Sequence, residues 1–299
     1  VWQSLRNYAI RRFMRIYPAY SVVVILLGAY LFYHPHLQSR LISQPINPLA
    51  ILSLQEAPWV LWSVRTELFF YAIFPFIAAL IYVIHKILGK HFAVMGIVAL
   101  IVLLSSMHHN AFRHVFPHER MMYHFFRSDE AFLVGVLAGY VYHFYAHVLQ
   151  RYKAYITTCA LILLLAYISS FPRVFLILYG FIPSKFYGVT VFNYALPLSV
   201  LMGLFILFVA LSDRYRSYVF HNKVLIFFGK ISFSLYLVHD FFIRLFLKTN
   251  MYNFSYETRI AVALVFSVCF AYSLYLLVEE PFIKLAKKLT KPCLPSASV

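Results

Sequence analysis

Charge is scarce in this chain. Asp, Glu, Lys and Arg make up 12% of its 299 residues, whereas soluble globular domains carry roughly a quarter. A soluble fold with an ordinary charged surface is thereby excluded. Acid is scarcer still, with ten Asp and Glu against 26 Lys and Arg and a net charge of +16. Cysteine is rare too. Cys159, Cys269 and Cys293 show no paired spacing and two of them lie inside apolar runs, so they imply neither a disulfide framework nor a zinc site. No linker between soluble domains and no period of repeat length is evident. A signal peptide is not expected, because the arginines near Val1 run into a long apolar segment that reads as a retained helix.

What is abundant is apolar sequence. Hydrophobic residues make up 63% of the chain, and the mean hydropathy is +0.77. Uncharged or nearly uncharged runs extend over Ile16–Tyr33, Leu68–Ile84, Phe92–Met107, Ala131–Tyr142 and beyond, Ala154–Pro172, Phe186–Ser212, Ile231–Ile243 and Ile260–Val278. Each is at or near the ~20 residues that a helix needs to cross the hydrocarbon core. The predicted fold class is all-α, a polytopic membrane bundle of about eight transmembrane helices. Residues 1–290 read as one membrane domain and 291–299 as a short cytoplasmic tail. The run from Ile231 is the shortest and is interrupted by His239-Asp240. Val174–Ser184 is too short to cross and reads as re-entrant or interfacial.

The basic residues set an orientation. An even number of spans puts both ends on one side, and that side collects Arg6, Arg11, Arg12, Arg15, Lys86, Lys90, Arg151, Lys153, Arg214, Arg216, Lys223, Lys230, Lys284, Lys287, Lys288 and Lys291. These sixteen of the 26 lie in short connections, so the positive-inside rule predicts that both termini are cytoplasmic. The outward loops are then roughly His34–Trp62, His108–Asp129 and Arg173–Lys185. Because the cations are spread over helix ends and form no basic domain, no nucleic-acid partner is expected. They mark topology and attract anionic membrane lipids.

Two local patterns carry chemistry. Arg11-Arg12-Phe13-Met14-Arg15-Ile16-Tyr17-Pro18 sets three guanidiniums at the mouth of an apolar span, where forked, charge-assisted hydrogen bonds suit phosphate oxygens. The plain alternative is positive-inside anchoring. In Trp62-Ser63-Val64-Arg65-Thr66-Glu67-Leu68-Phe69-Phe70-Tyr71, Glu67 opens an otherwise apolar span, and a carboxylate at membrane depth is costly without a partner or a task. An interfacial ion pair with Arg65 is the plain alternative there.

Together with Gly229-Lys-Ile-Ser-Phe-Ser-Leu-Tyr-Leu-Val-His239 and Glu279-Glu280-Pro281-Phe282, these segments resemble the integral-membrane acyltransferase 3 family, in the family's order and over nearly the whole chain. The family includes bacterial O-acetyltransferases that modify exported glycans. The resemblance implies an enzyme of a bacterial inner membrane that moves an acyl group, acetyl being the expected one, from acyl-coenzyme A to a hydroxyl of a carbohydrate or glycolipid. Arg12 and Arg15 match the pair thought to meet the phosphates of the acyl-coenzyme A donor at the cytoplasmic face. Glu67 is implied to orient a catalytic histidine or bind the acceptor hydroxyl near the outer face. His239 matches a motif histidine and is the second candidate catalytic residue, with a hydrogen-bonded packing role as its alternative. Glu279, Glu280 and Pro281 are expected to end the last helix.

The chain also departs from the family pattern. Members usually carry two spans ahead of the arginine pair, the first holding the histidine regarded as the catalytic base. No residue here carries over to that role, so the expectation is an amino-terminally shortened domain whose own activity is in question. Rival readings are a transporter with a Glu67, His239 and Asp240 proton relay, which lacks the inverted repeats it would need, and a non-catalytic remnant. No metal is expected: His108, His109, His114, His118 and His124 cluster in one loop, but without His-Glu-x-x-His or a spacing that fixes two ligands on one helical face.

Overall fold

A computed structural model describes residues 2–36, 47–56, 58, 60–110, 120–156, 158, 159, 162, 165, 195–211, 222–248 and 254–290. Among these residues every regular element is helical. The α-helices are α1 (Trp2–Tyr33), α2 (Pro48–Leu52), α3 (Leu61–Leu88), α4 (Lys90–Asn110), α5 (Arg120–Leu149), α6 (Ala195–Leu211), α7 (Lys223–Lys248), α8 (Tyr256–Leu274) and α9 (Glu280–Leu289). Among the described residues five stretches are long and apolar enough to cross a membrane: Gln3–Tyr33, Leu61–Leu88, Glu130–Ile156, Lys223–Leu247 and Tyr256–Leu289. Lys90–Ser105 and Ser199–Leu211 are shorter apolar helices. Most of the expected span from Ala154 to Pro172, and all of Val174–Ser184, lie outside the described residues.

The chain divides into two compact units, residues 1–72 with 223–299, and residues 73–222. In the first, Ile16, Tyr20 and Val23 recur on one face of α1 and are buried against Ile51, Val64, Ile231 and Leu237, the spacing of a helix that presents one stripe to a core. α1 begins at Trp2 and α3 at Leu61, well ahead of their apolar runs, because the polar residues there find partners inside the unit.

The predicted outward loop His34–Trp62 is corrected in its second half, which folds back along α1. A Cβ on Gly28 would stand 2.7 Å from Pro48 Cγ. Tyr20 Oη donates to the Ile51 carbonyl at 2.7 Å and Tyr17 Oη to that of Leu52 at 3.2 Å. As Gly28, Tyr20 and Tyr17 lie successively nearer the start of α1, α2 runs antiparallel to it, its five residues rising about 7.5 Å at 1.5 Å per residue. Local chemistry starts this short helix: Asn47 accepts from the Leu49 and Ala50 amides, and Pro48 occupies the first turn, where its missing N–H costs nothing. The Tyr17 hydroxyl serves the Leu52 carbonyl at the helix end, and the Tyr20 hydroxyl is a second donor to the Ile51 carbonyl, which also accepts from the Leu54 amide at 3.0 Å. The turn that follows holds Leu54 at φ 62°, and Arg65 Nη1 secures it by donating to the Gln55 carbonyl at 3.1 Å and that of Leu54 at 3.5 Å.

Replacing Gly28 by Leu should therefore push α2 off α1. Overpacking of this kind costs about 1–3 kcal/mol, which should appear as a lowered thermal midpoint for the protein in nanodiscs. An unchanged midpoint would mean that α2 does not seat on Gly28.

In the second unit, Gly89 turns α3 into α4 at φ 92°, a conformation that glycine adopts without steric cost. α4 and α5 pack through Ile97, Ile101, Leu133 and Val134. Polar ties join the helices at this end, His85 Nδ1 with Tyr140 Oη at 2.5 Å and His91 Nδ1 with Tyr145 Oη at 2.9 Å.

Candidate functional site

The arginines of α1 open onto a cavity in the first unit. Its volume is about 710 Å³, and Ser4, Asn7, Tyr8, Arg11, Arg12 and Arg15 of α1 line it together with Ile283, Ala286 and Lys287 of α9. Among the described residues four cations converge there and no carboxylate lines the space. The volume falls within the 300–1,000 Å³ range of small-molecule sites, and the charge selects an anion.

Arg12 is held by aromatic groups. Its Cζ lies 4.7 Å from the ring centroid of Tyr71 and 5.8 Å from that of Tyr8, close enough for cation–π attraction. The two rings meet edge to face at 6.3 Å, and Tyr8 Oη donates to the Tyr71 carbonyl at 3.3 Å. Tyr71 Oη gives its one proton to Glu67 Oε1, so its lone pairs face Arg12 Nη1, which donates to it at 3.3 Å. Glu67 thus orients Tyr71, and Tyr71 orients Arg12. Arg15, one turn further along α1, makes no hydrogen bond among the described residues and lies within electrostatic reach of both Tyr71 and Glu279. The structure therefore brings Arg12 and Glu67 together and leaves Arg15 open to a ligand.

For Glu67 the plain alternative, an ion pair with Arg65, is not what the structure shows. Its partner is Tyr71 rather than Arg65, which is 6% exposed and spends its donors on the turn before α3. No hydrogen bond or ion pair links Glu67 to His239 among the described residues; Glu67 belongs with the arginine cluster. The pairing with Tyr71 follows from helical spacing, since residues four apart share a face and residues two apart do not.

The last helix is also longer than expected. It does not stop at Glu279-Glu280-Pro281 but passes through a π-helical turn, Tyr275–Glu279, in which the Glu280 amide bonds to the Tyr275 carbonyl, and continues as α9 to Leu289. The widened turn lets Pro281 enter at the start of a new helical segment, where it loses no needed donor. Glu279, 3% exposed, accepts from Ser234 Oγ of α7 at 2.8 Å. Glu280 pairs with Lys284 at 3.0 Å. Arg11 Nε donates to Thr290 Oγ1 at 2.8 Å and so ties the end of α9 to α1.

His239 sits on α7, in a helix that continues unbroken through the expected interruption because His239 and Asp240 both find local partners. Asp240 accepts from Arg244 Nε at 2.7 Å. His239 Nδ1 lies 2.9 Å from the Tyr236 carbonyl and 3.3 Å from that of Leu235. Carbonyls only accept, so Nδ1 carries the proton and the neutral ring keeps its lone pair on Nε2. Tyr236 fixes this part of α7 to the approach to α3: its Oη donates to the Val60 carbonyl at 3.0 Å and accepts from Ser63 Oγ at 2.6 Å.

A second cavity of about 550 Å³ lies among α1, α7 and α8, walled by apolar side chains such as Leu27, Tyr30, Phe241 and Phe270. Its lining suits hydrocarbon and offers nothing to a phosphate. Among the described residues no group of three His, Cys, Asp or Glu is arranged to hold a metal ion; the side chains of His108, His109, His114, His118 and His124 lie outside them. Cys159 and Cys269 are unpaired.

The sequence reading missed Tyr8, Tyr71 and Lys287 as parts of the arginine site. The four-residue spacing of Glu67 and Tyr71 was a usable signal. Nothing local could have joined Lys287 to Arg15.

Comparison with known proteins agrees with this picture. Residues 1–276 match the sequence profile of the acyltransferase domain that defines the acyltransferase 3 family. No curated protein and no solved structure matches the chain. A match over most of the chain, on an all-helical protein with apolar helices of membrane-crossing length, settles the family: the chain belongs to the membrane acyltransferases of the acyltransferase 3 type.

Proposed function

We propose that this protein is an O-acyltransferase of a bacterial inner membrane, with eight spans and both termini cytoplasmic, that transfers an acyl group, acetyl first among them, from acyl-coenzyme A to a hydroxyl of an exported glycan or glycolipid. One observation carries the reading: among the described residues four cations and no carboxylate line a cavity at the start of α1, with Arg12 preset by Tyr8, Tyr71 and Glu67. The phosphates of coenzyme A rest on Arg12 and Arg15, and the acyl-bearing arm extends into the bundle. Glu67 is a positioning residue that acts through Tyr71.

His239 supplies the base. A sugar hydroxyl is a weak nucleophile until a base takes its proton in the transition state. Nε2 of His239 accepts that proton as the acceptor oxygen bonds to the thioester carbonyl carbon. The C–S bond then breaks, and the imidazolium returns the proton to the leaving thiolate, giving the ester, free coenzyme A and neutral His239.

The test is sided transfer in proteoliposomes that enclose a glycan acceptor. Radiolabelled acetyl-coenzyme A added outside should label the enclosed acceptor through the molecules whose arginine end faces outward. Blocking that population with a membrane-impermeant amine reagent, which reaches the lysines of the same side, should abolish labelling. Absence of transfer with every acceptor, together with absence of coenzyme A binding, overturns the proposal.

A further inference from the structure

The cations around the cavity outnumber what a diphosphate requires, and they fall into two sets. Arg12 faces α3 through Tyr71, with Arg15 one turn beyond it on the same helix. Arg11 turns the other way, to Thr290 at the end of α9. Lys287 stands one turn before Thr290 on α9 and lines the same cavity. Arg11 spends only Nε on Thr290, which leaves its two Nη groups for a ligand. Lys287 is exposed, with no hydrogen bond or ion pair among the described residues. The one acid of α9, the half-buried Glu280, is taken by Lys284.

Charge matching assigns the second set. The diphosphate of coenzyme A carries two negative charges, and the phosphomonoester on its ribose, at the 3′ position, adds about 1.5 to 2 more at neutral pH. The four cations, with no carboxylate among the described lining residues, balance that total. A diphosphate alone would leave two of them without a counter-charge. We propose that Arg11 and Lys287 bind the ribose 3′-phosphate of the donor, while Arg12 and Arg15 bind the diphosphate, so that the α1–α9 junction selects coenzyme A over donors that lack this phosphate.

This rests on the acyl-coenzyme A reading and sharpens it. It also gives α9 a task, since Lys287 reaches the cavity only because the last helix continues past Pro281 and is tied down by Arg11. A pantetheine donor attached to a carrier protein presents no such phosphate and is a poor ligand.

The experiment measures affinity for coenzyme A and for dephospho-coenzyme A, by calorimetry on the whole chain in nanodiscs, for the unaltered protein, Lys287→Ala and Lys287→Arg. Coenzyme A should bind roughly tenfold to a hundredfold more tightly than dephospho-coenzyme A, the range expected for charge-assisted hydrogen bonds to one phosphate. Lys287→Ala should erase most of that ratio by weakening coenzyme A alone, and Lys287→Arg should keep it. The thermal midpoint should not move, as the Lys287 side chain is exposed. Equal affinities for the two ligands in the unaltered protein overturn the inference and leave the donor reading standing. So does a Lys287→Ala variant that weakens both ligands alike. Failure of the unaltered protein to bind coenzyme A overturns both.

Discussion

Replacing His239 by Gln should lower the rate of acyl transfer by about 10²–10⁴-fold, the usual contribution of a positioned general base, while leaving coenzyme A affinity unchanged. The geometry separates the two quantities. His239 is anchored by its Nδ1 to backbone carbonyls of its own helix, whereas the cations proposed to meet the donor are on α1 and α9. Gln can still donate to the Tyr236 carbonyl, so the packing of α7 should survive. It offers no basic nitrogen. The loss should therefore fall in kcat, with the donor KM unaltered. In His239→Ala, added imidazole should restore part of the rate, which a packing role would not permit. Normal turnover by His239→Gln would remove His239 from the chemistry and return it to the role of a hydrogen-bonded core residue.

How much of this was legible beforehand differs between elements. Helices whose lipid-facing length is apolar announced themselves, because composition alone fixes where a chain can cross hydrocarbon. Their ends did not. α1 and α3 start ahead of their apolar runs with residues such as Tyr8, Arg12, Arg65 and Thr66, whose polar atoms are satisfied by groups far away in sequence. Hydropathy counts those side chains as aqueous. The same blindness hid α2, which is too short and too plain in composition to show periodicity, although Asn47-Pro48 is a start signal in its own right. Its register against α1 depends on Gly28 leaving room for Pro48, and no local pattern encodes that.

The candidate site was readable in kind and not in connection. Three clustered arginines pointed to phosphate, but the sequence left a pairing of Glu67 with its near neighbour Arg65 open as an alternative, whereas the fold gives each a different partner. A buried cation can be satisfied by carbonyls as well as by a carboxylate, and only the turn at Leu54 and Gln55 decides which. Pro281 misled in a similar way. Proline normally ends a helix, and here the π-helical turn ahead of it allows the column to continue, bringing Lys287 to the arginines.

The double variant Arg12→Ala, Arg15→Ala should show the largest loss of donor binding. Hydrogen bonds between charged groups contribute roughly 1.5–3 kcal/mol each, so removing both guanidiniums should weaken coenzyme A by on the order of 10²–10⁴-fold. Arg12→Lys should recover only part, because an ammonium lacks the planar fork and cannot repeat the packing against Tyr71. Glu67→Gln and Tyr71→Phe act on the same side chain from behind. Gln still accepts from Tyr71 but without charge, and Phe removes the hydroxyl that receives Arg12 while keeping the ring. Each should weaken donor binding less than Arg12→Ala does, and neither should add to its effect, since residues joined through one network are not independent. Calorimetric titration of coenzyme A against the single and paired variants reads this directly. Full additivity of Glu67→Gln with Arg12→Ala would break the proposed line from Glu67 through Tyr71 to Arg12, and undiminished affinity in a well-folded Arg12→Ala, Arg15→Ala protein would move the donor site elsewhere.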